Sequence, residues 1–230
     1  MGLLDRPAYG YNLYYAALQA KALGLPSVSA IEFGVASGKG LLILETYAEC
    51  ISRMLGVAIE AYGFDTGQGL PGLQDYRDIP HQWQAGLFPM DHAALTARLR
   101  SAKLILGNVQ ETLRAFYDTY RPAPVGAILF DVDLYSSTKA AFTIFDTEPV
   151  HLLPRIRCYF DDILGNEISL TNDFVGEPLA IAEYNKENTA RKITPVYHLR
   201  AKSFRQKWYS KCYVHHHFQH PRYTQRVEYR

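Results

Sequence analysis

The chain has 230 residues, of which 48% are hydrophobic, and a formal net charge of +1 at pH 7. This composition is typical of a soluble globular protein, and one α/β domain over residues 1–230 is the default expectation. No apolar run reaches the 18 residues of a membrane-spanning helix, and three distant cysteines without a CxxC pair suggest neither a disulfide framework nor a cysteine zinc site. The first residues lack the features of a signal peptide, so we expect a cytoplasmic protein.

The first element predicted is a lead-in helix within residues 1–26. Residues 11–23 carry apolar groups at helical spacing, and Gly24 and Pro26 end the pattern. Residues 27–33 then predict a buried strand. We expect the helix to cover an edge of a sheet or the ligand of that sheet.

A glycine-rich turn follows this strand in AIEFGVASGKG, residues 30–40. The order G-x-x-x-G-x-G does not match the G-x-G-x-x-G of dinucleotide-binding proteins. Only three residues separate Gly34 from Gly38, which is too few for a phosphate-binding P-loop, and Val35 and Lys39 replace the glycines of a serine-hydrolase elbow. An E-x-G-x-x-x-G loop between a strand and a helix remains, with its backbone open to a ligand.

Strands and helices alternate through the first 165 residues. Further strands are predicted over residues 57–64, 102–106, 124–130 and 155–160, and helices over 40–55, 91–101, 110–120 and 138–147. This alternation predicts a doubly wound, mostly parallel sheet. A long irregular segment, residues 66–90, interrupts it and is expected to be a lid over the substrate, with His81 as one alternative proton acceptor.

Acidic residues follow the predicted strands at their carboxyl ends, where open α/β sheets bind ligands. They are Glu32, Asp65, Asp131, Asp133, Asp161 and Asp162. Carboxylates brought so close raise one another's pKa, and a divalent metal such as Mg²⁺ would relieve this repulsion. Helix capping without a metal is the alternative.

Two of the cofactor-binding candidates also have a purely structural interpretation. Asp65 ends the second strand, where a carboxylate can bind both ribose hydroxyls of an adenosine, or it forms an Asx-turn before Gly67. Asn108 can bind an adenine edge or simply cap the next helix.

The C-terminal segment 191–230 is basic, with six Arg and four Lys residues against the single acid Glu228. Aromatic residues alternate with the charges, which favours an edge pair of strands with a solvated face over a nucleic-acid site. His215 and His217 would share a face of the last strand, and we expect a surface or interface strand rather than a transition-metal site.

Four stretches in order, AIEFGVASGKG, YGFDTGQGLP, LFDVDLYSST and YFDDI, resemble class I S-adenosylmethionine (SAM) methyltransferases. More narrowly the chain is similar to the macrocin O-methyltransferase group, which modifies sugar hydroxyls. The resemblance covers residues 28–164 and implies a Rossmann-like sheet of seven strands with an antiparallel last strand over 206–218, preceded by a helix over 177–187 and a strand over 192–199.

The resemblance also implies the residues of the site. SAM would be bound by the first glycine loop, the end of the second strand and the segment after the third strand. The later aspartates would bind a metal and the acceptor. The cofactor-binding candidates are Glu32, Gly34, Val35, Ala36, Ser37, Gly38, Asp65, Thr66, Asn108, Val109 and Asp131. The metal candidates are Asp131, Asp161 and Asp162, and the catalytic candidates are Asp131 and Asp133.

The expected reaction is methylation of a sugar or phenolic hydroxyl on a small molecule. We expect neither nucleic acid nor a membrane as a partner. A homo-oligomer is a possible assembly. The lysine of catechol-type relatives is absent, since Leu134 stands in its place. A SAM-binding or nucleotide-binding module without catalysis is the first alternative. A nicotinamide-dependent oxidoreductase is disfavoured by the glycine spacing.

Overall fold

The structure is a computed structural model that describes residues 5–227. A seven-stranded sheet forms its centre, in the order β3-β2-β1-β4-β5-β7-β6. The strands are β1 (Ser27–Phe33), β2 (Ala58–Asp65), β3 (Lys103–Leu106), β4 (Val125–Phe130), β5 (Leu152–Phe160), β6 (Arg191–Pro195) and β7 (Cys212–His217). The first five pair in parallel, and β7 runs antiparallel to both of its neighbours. The predicted doubly wound sheet with an antiparallel last strand is confirmed.

Helices cover both faces of this sheet. They are α1 (Pro7–Ala22), α2 (Lys39–Leu55), α3 (His92–Thr96), α4 (Val109–Tyr120), α5 (Tyr135–Ala141), α6 (Gly176–Glu187) and α7 (Tyr197–Arg200). Within residues 5–227, no helix is long and apolar enough to cross a membrane.

The core has two halves, one on each side of the sheet, because successive side chains of a strand point to opposite faces. Val28 and Ala30 of β1 pack with α1 and α2, whereas Ile31 and Phe33 pack with α4, α5 and α6. Both halves are well buried, so β1 and β4 lie in the middle of the molecule. Their carboxyl ends are therefore held at fixed positions, which suits a binding site.

Helix α5 begins earlier than the sequence predicted, at Tyr135 instead of residue 138, and continues as a 3₁₀ turn, Phe142–Phe145. The reason is a cap from a distant part of the chain. The buried Asp78 accepts hydrogen bonds from the backbone N–H of Ser136 (2.8 Å) and from its hydroxyl (2.9 Å). Such a carboxylate satisfies the free N–H groups at a helix start, and it could not be placed there from local sequence.

The C-terminal strands are shorter than predicted. Strand β6 ends at Pro195 and is followed by α7, and a 3₁₀ turn, Lys207–Lys211, precedes β7. The two C-terminal strands form the expected edge pair of the sheet, but β6 is the outermost strand and β7 lies between β5 and β6. His215 is fully buried, with its Nε2 2.9 Å from the Tyr184 hydroxyl and its ring stacked on Phe145.

Helix α3 is also shorter than the predicted 91–101, because Glu45 of α2 holds the chain that leaves it. The buried Glu45 carboxylate accepts the backbone N–H groups of Arg100, Ser101 and Ala102. Burial alone would raise the pKa of Glu45, but these amide hydrogen bonds outweigh it and lower the pKa below 4.5. The carboxylate therefore fixes the entry into β3.

We expect Glu45→Ala to lower the free energy of unfolding by about 2 to 4 kcal/mol, since three amide donors lose their acceptor. Glu45→Gln keeps an acceptor oxygen, so it should lower the free energy of unfolding by about half as much as Glu45→Ala. A lowered pKa contributes stability that is present above pH 4.5 and lost as the pH falls below it. Urea unfolding at pH 7 and pH 3.5 should show the difference between wild type and Glu45→Gln shrinking in acid, and an unchanged difference would contradict this account.

Candidate functional site

The glycine turn after β1 lies against the ends of β2 and β4. Asp65 at the end of β2 braces this turn: its Oδ2 accepts the N–H groups of Val35 (2.8 Å) and Ala36 (2.9 Å). Its Oδ1 accepts the N–H of Gly67 at 2.7 Å, which is the Asx-turn considered as an alternative. A carboxylate has about four acceptor positions, so these three bonds leave room for one further donor.

A cavity of about 210 Å³ opens beside this turn, which we call the cofactor cavity. Its walls include apolar side chains such as Phe33, Phe64 and Val132. Seven of the predicted cofactor residues line it: Gly34, Ala36, Asp65, Thr66, Asn108, Val109 and Asp131. Asn108 also caps α4, since its Oδ1 accepts the N–H of Gln110 at 2.9 Å.

The other four predicted cofactor residues do not line this cavity. Val35 is buried, Ser37 is exposed, and Gly38 is the residue directly before α2, with a backbone φ of 85°. Glu32 lies below the turn and is almost fully buried. In this structure these residues shape the loop, and any contact of theirs with a cofactor stays a prediction.

Glu32 belongs to a buried network that reaches the end of β4. The hydroxyl of Tyr9 donates to Glu32 Oε1 (2.6 Å), and Arg6 Nη1 contacts both the Tyr9 hydroxyl and Asp131 Oδ2 (2.8 Å). Burial, as the largest cause, and the nearby Asp131 carboxylate raise the pKa of Glu32 to about 8. Helix α1 and the residue before it thus fix the orientation of the carboxylates at the centre of the sheet.

A second cavity, of about 200 Å³, lies at the ends of β4 and β5, and we call it the acidic cavity. Asp133, Asp161, Asp162 and Glu177 line it together with one cation, Lys211. Asp133 is common to the linings of both cavities and has a left-handed backbone, with φ of 60°. Backbone strain in a non-glycine residue is common at functional sites. Asp133 therefore marks where the two cavities meet.

The carboxylates of the acidic cavity have strongly altered acidity. Burial and the neighbouring Asp162 raise the pKa of Asp133 to about 8, and burial and Asp131 raise that of Asp162 to about 7. Burial and Asp161 raise the pKa of Asp131 to about 6. Burial would also raise the pKa of Asp161, but Lys211 outweighs it and lowers that pKa. Acidic groups thus outnumber cations here, and they are not all ionised near neutral pH.

The three predicted metal ligands are not arranged for a metal ion as they stand. Asp131 is paired with Arg6, and Lys211 Nζ donates to Asp161 Oδ1 at 2.9 Å and to the Asp161 carbonyl. Among residues 5–227, no group of three or more His, Cys, Asp and Glu side chains is placed to hold a metal. Arg6 engages one oxygen of Asp131 and Lys211 one oxygen of Asp161, and with no group of three ligands around one point in residues 5–227 the carboxylates, as placed, do not fit a bound Mg²⁺ ion.

The predicted lid is anchored to α5 and to the loop before α6. Arg77 stacks on the Tyr135 ring at 4.5 Å and donates to its hydroxyl at 3.0 Å. His81 Nε2 lies 3.2 Å from the Ser169 carbonyl. Leu87 and Phe88 of the lid line the cofactor cavity, whereas Trp83 lines the acidic cavity. One segment thus contributes to both cavities.

Sequence reasoning missed three charged residues of this site. Arg6 is 125 residues from Asp131 along the chain, Lys211 is 50 residues from Asp161, and Glu177 was placed only in a helix. No local motif surrounds any of them. For the two cations the signal was indirect, namely the need for compensation among the strand-end carboxylates, and no signal pointed to Glu177.

No protein-family model matches the chain, and no curated protein matches its sequence. Solved structures are similar to it in fold. The calicheamicin methyltransferase CalS11 is 21% identical, with a TM-score of 0.55 over 76% of this chain and 70% of that one. The O-methyltransferase NovP is 16% identical, with a TM-score of 0.54 over 91% and 79%. Cofactor-bound Rv0187 from MTB is 12% identical, with a TM-score of 0.50 over 94% and 81%.

At these identities the similarity establishes the fold. The chain has the fold of solved methyltransferases, as the four motifs implied. The fold alone does not assign an activity, because sites with different chemistry occur on the same scaffold.

Proposed function

We propose that the protein is a SAM-dependent O-methyltransferase that acts on a hydroxyl group of a small molecule. The observation that carries this proposal is the position of Asp133, which lines both the cofactor cavity and the acidic cavity. A proton acceptor at such a junction can reach an acceptor hydroxyl beside a methyl donor. The names of the similar structures, calicheamicin methyltransferase and O-methyltransferase NovP, support the same chemistry.

The cofactor cavity suits SAM in three respects. Gly34 and Ala36 present the backbone of the glycine turn to the cavity, and Asp65 retains one free acceptor position for a ribose hydroxyl. Apolar walls that include Phe64 and Val109 can enclose an adenine ring. Adenine recognition by Asn108 uses its amide N–H, since its oxygen caps α4.

SAM, when bound, supplies a methyl group on a positively charged sulfur. The residues of this chain align the acceptor oxygen with that methyl group, and alignment of this kind is worth about 7 to 11 kcal/mol of barrier. Asp133 takes the proton of the acceptor hydroxyl. With SAM held in the cofactor cavity, the acceptor oxygen would take the methyl group as the bond to sulfur broke, and the electron pair would stay on sulfur, which would give S-adenosylhomocysteine (SAH). Asp131 acts through its pair with Arg6, which holds the end of β4 in place.

The sequence also predicted assistance by Mg²⁺ bound to Asp131, Asp161 and Asp162. No step of the proposed mechanism passes through a metal, because Arg6 and Lys211 each pair with one of those carboxylates and residues 5–227 hold no group of three side chains placed to bind an ion. Full turnover in excess EDTA is the expected result. Loss of turnover in EDTA, with recovery on addition of Mg²⁺, would restore the metal to the mechanism. We propose a sugar or phenolic hydroxyl as the acceptor group. We also propose that the protein resides in the cytoplasm.

The proposed function is tested by calorimetry with SAH, followed by transfer of the tritiated methyl group of SAM to a panel of glycosides and phenols. Binding of SAH together with transfer to a hydroxyl supports it. Binding without transfer to any member of the panel favours a module without catalysis. Tight binding of NAD without binding of SAH would indicate an oxidoreductase instead.

Asp65→Ala is expected to weaken SAH binding by about 10- to 100-fold. The glycine turn loses the acceptor for the N–H groups of Val35 and Ala36, and hydrogen bonds to a charged acceptor are worth about 1.5 to 3 kcal/mol each. Calorimetry measures the change, with Asp118→Ala on the exposed side of α4 as the matched control. A dissociation constant within twofold of wild type would show that Asp65 does not support the cofactor cavity.

A further inference from the structure

We infer that Asp78 is a positioning residue for the proposed reaction, because its carboxylate joins the lid, residues 66–90, to the start of α5. Through these contacts it holds the lid beside the cofactor cavity and keeps the proton acceptor Asp133 in place. The inference rests on the proposed function, since it names a residue that acts through Asp133. Asp78 itself lines neither cavity, so a change there removes no contact with cofactor or acceptor.

Asp78 is fully buried, so groups of the protein must satisfy its carboxylate. On the side of α5, its Oδ1 accepts the backbone N–H of Ser136 at 2.8 Å, and its Oδ2 accepts the Ser136 hydroxyl at 2.9 Å. On the side of the lid, Oδ2 accepts the N–H of Gln74 at 2.8 Å. Movement of the lid away from α5 would leave these buried groups without partners, which is unfavourable.

Asp78 lies between the two parts of the lid that face the cavities. Before it in the chain, residues 69–72 and Gln74 line the cofactor cavity. Directly after it, Ile79 and then Trp83 line the acidic cavity. A contact at Asp78 therefore fixes both parts of the lid against α5 together.

The proton acceptor lies three residues before the other end of this contact. Asp133 has a backbone φ of 60°, and the N–H of Leu134 donates to the carbonyl of Val132, which closes a three-residue turn around Asp133. Such a turn is strained and persists only when the surrounding structure holds it. The chain before the turn is hydrogen-bonded to β1, and Asp78 holds the chain after it at Ser136. Loss of the second contact would let the turn relax and displace the Asp133 carboxylate.

The test replaces Asp78 by Asn, which keeps the size of the side chain but offers one acceptor oxygen to these donors. Glu45→Gln is the matched control, because Glu45 is also a buried carboxylate that accepts backbone N–H groups, but at the entry into β3. Ser136→Ala removes only the hydroxyl donor and is the milder variant. Asp133→Asn and the double variant Asp78→Asn/Asp133→Asn complete the set. Urea unfolding checks that each protein is folded.

Two properties are measured on each protein. Single-turnover reactions with tritiated SAM give the rate of methyl transfer. Acrylamide quenching of Trp83 fluorescence reports whether the lid is closed, because the Trp83 indole nitrogen is buried in this structure. The chain has two tryptophans, so the quenching is measured in a Trp208→Phe background.

We expect Asp78→Asn to lower the transfer rate by about 10- to 100-fold, since a displacement of about 1 Å near the reacting atoms can cost that much. Ser136→Ala should have a smaller effect, and Glu45→Gln should leave the rate unchanged. Quenching of Trp83 should increase in Asp78→Asn and stay at the wild-type level in Glu45→Gln. In the Asp133→Asn background, Asp78→Asn should lower the rate by less than about threefold, because residues that act through one another are not additive.

Three results would each overturn the inference: a rate for Asp78→Asn within about threefold of wild type, an additive loss in the double variant, or equal changes of quenching in Asp78→Asn and Glu45→Gln. Methyl transfer by the wild type in any of these cases leaves the proposed function standing. Failure of the proposed function would be seen differently, as no transfer by the wild type to any acceptor. The quenching comparison would then still decide whether Asp78 holds the lid.

Discussion

Asp133→Asn is expected to lower kcat for methyl transfer by about 10²- to 10⁴-fold, which is the usual contribution of a positioned proton acceptor. The amide has nearly the same size as the carboxylate but cannot take the proton of the acceptor hydroxyl. Asparagine also tolerates the left-handed backbone at this position, where φ is 60°. The substitution therefore changes the chemistry of the side chain with little change to the turn after β4.

The measurement is single-turnover transfer from tritiated SAM, with SAH affinity determined by calorimetry on the same samples. SAH affinity should stay within about threefold of wild type, because the contacts that brace the cofactor cavity come from Asp65. Asp173→Asn, at an exposed site in the loop before α6, is the control for removal of an acidic charge. A kcat within fivefold of wild type would exclude Asp133 as the proton acceptor and direct attention to His81.

The sequence predicted the sheet and the carboxyl ends of its strands well, because both depend on local patterns. Continuous apolar runs such as residues 124–130 identify strands buried on both faces, and the acids after them fall at one edge of a parallel sheet. Asp65 illustrates the limit of this reasoning. Its two predicted roles were ribose binding and an Asx-turn, and the structure shows the Asx-turn and also a brace to the glycine turn about 30 residues earlier.

The cations of the site could not be predicted in the same way. Arg6 meets Asp131 only because α1 packs against the sheet beside β1 and β4, and Lys211 meets Asp161 only because β7 inserts beside β5. Sequence reasoning detected an excess of negative charge and assigned a metal to it. The structure instead pairs two of the aspartates with side chains of this chain, and it leaves Asp133, Asp162 and Glu177 to face the acidic cavity.

The second large effect is expected at Gly34, where a side chain has no space. A Cβ atom at this position would lie 1.8 Å from the backbone oxygen of Asp131, and the backbone φ is 84°. The left-handed conformation alone costs a non-glycine residue about 1 to 2 kcal/mol. The contact with Asp131 involves backbone, which cannot rotate away, so the turn after β1 must separate from the end of β4. These two segments form the junction between the cavities.

Gly34→Ala is therefore expected to lower the free energy of unfolding by about 3 to 5 kcal/mol and to abolish measurable SAH binding. Gly56→Ala is the matched control, because its φ of 68° imposes a similar backbone strain and no atom lies within 4 Å of the added Cβ. The control should lose only about 1 to 2 kcal/mol and keep its SAH affinity. Urea unfolding and calorimetry on both variants separate the two costs. Equal losses of stability in the two variants would mean that the turn and β4 can move apart freely. The close packing of these two segments would then contribute nothing to the free energy of unfolding.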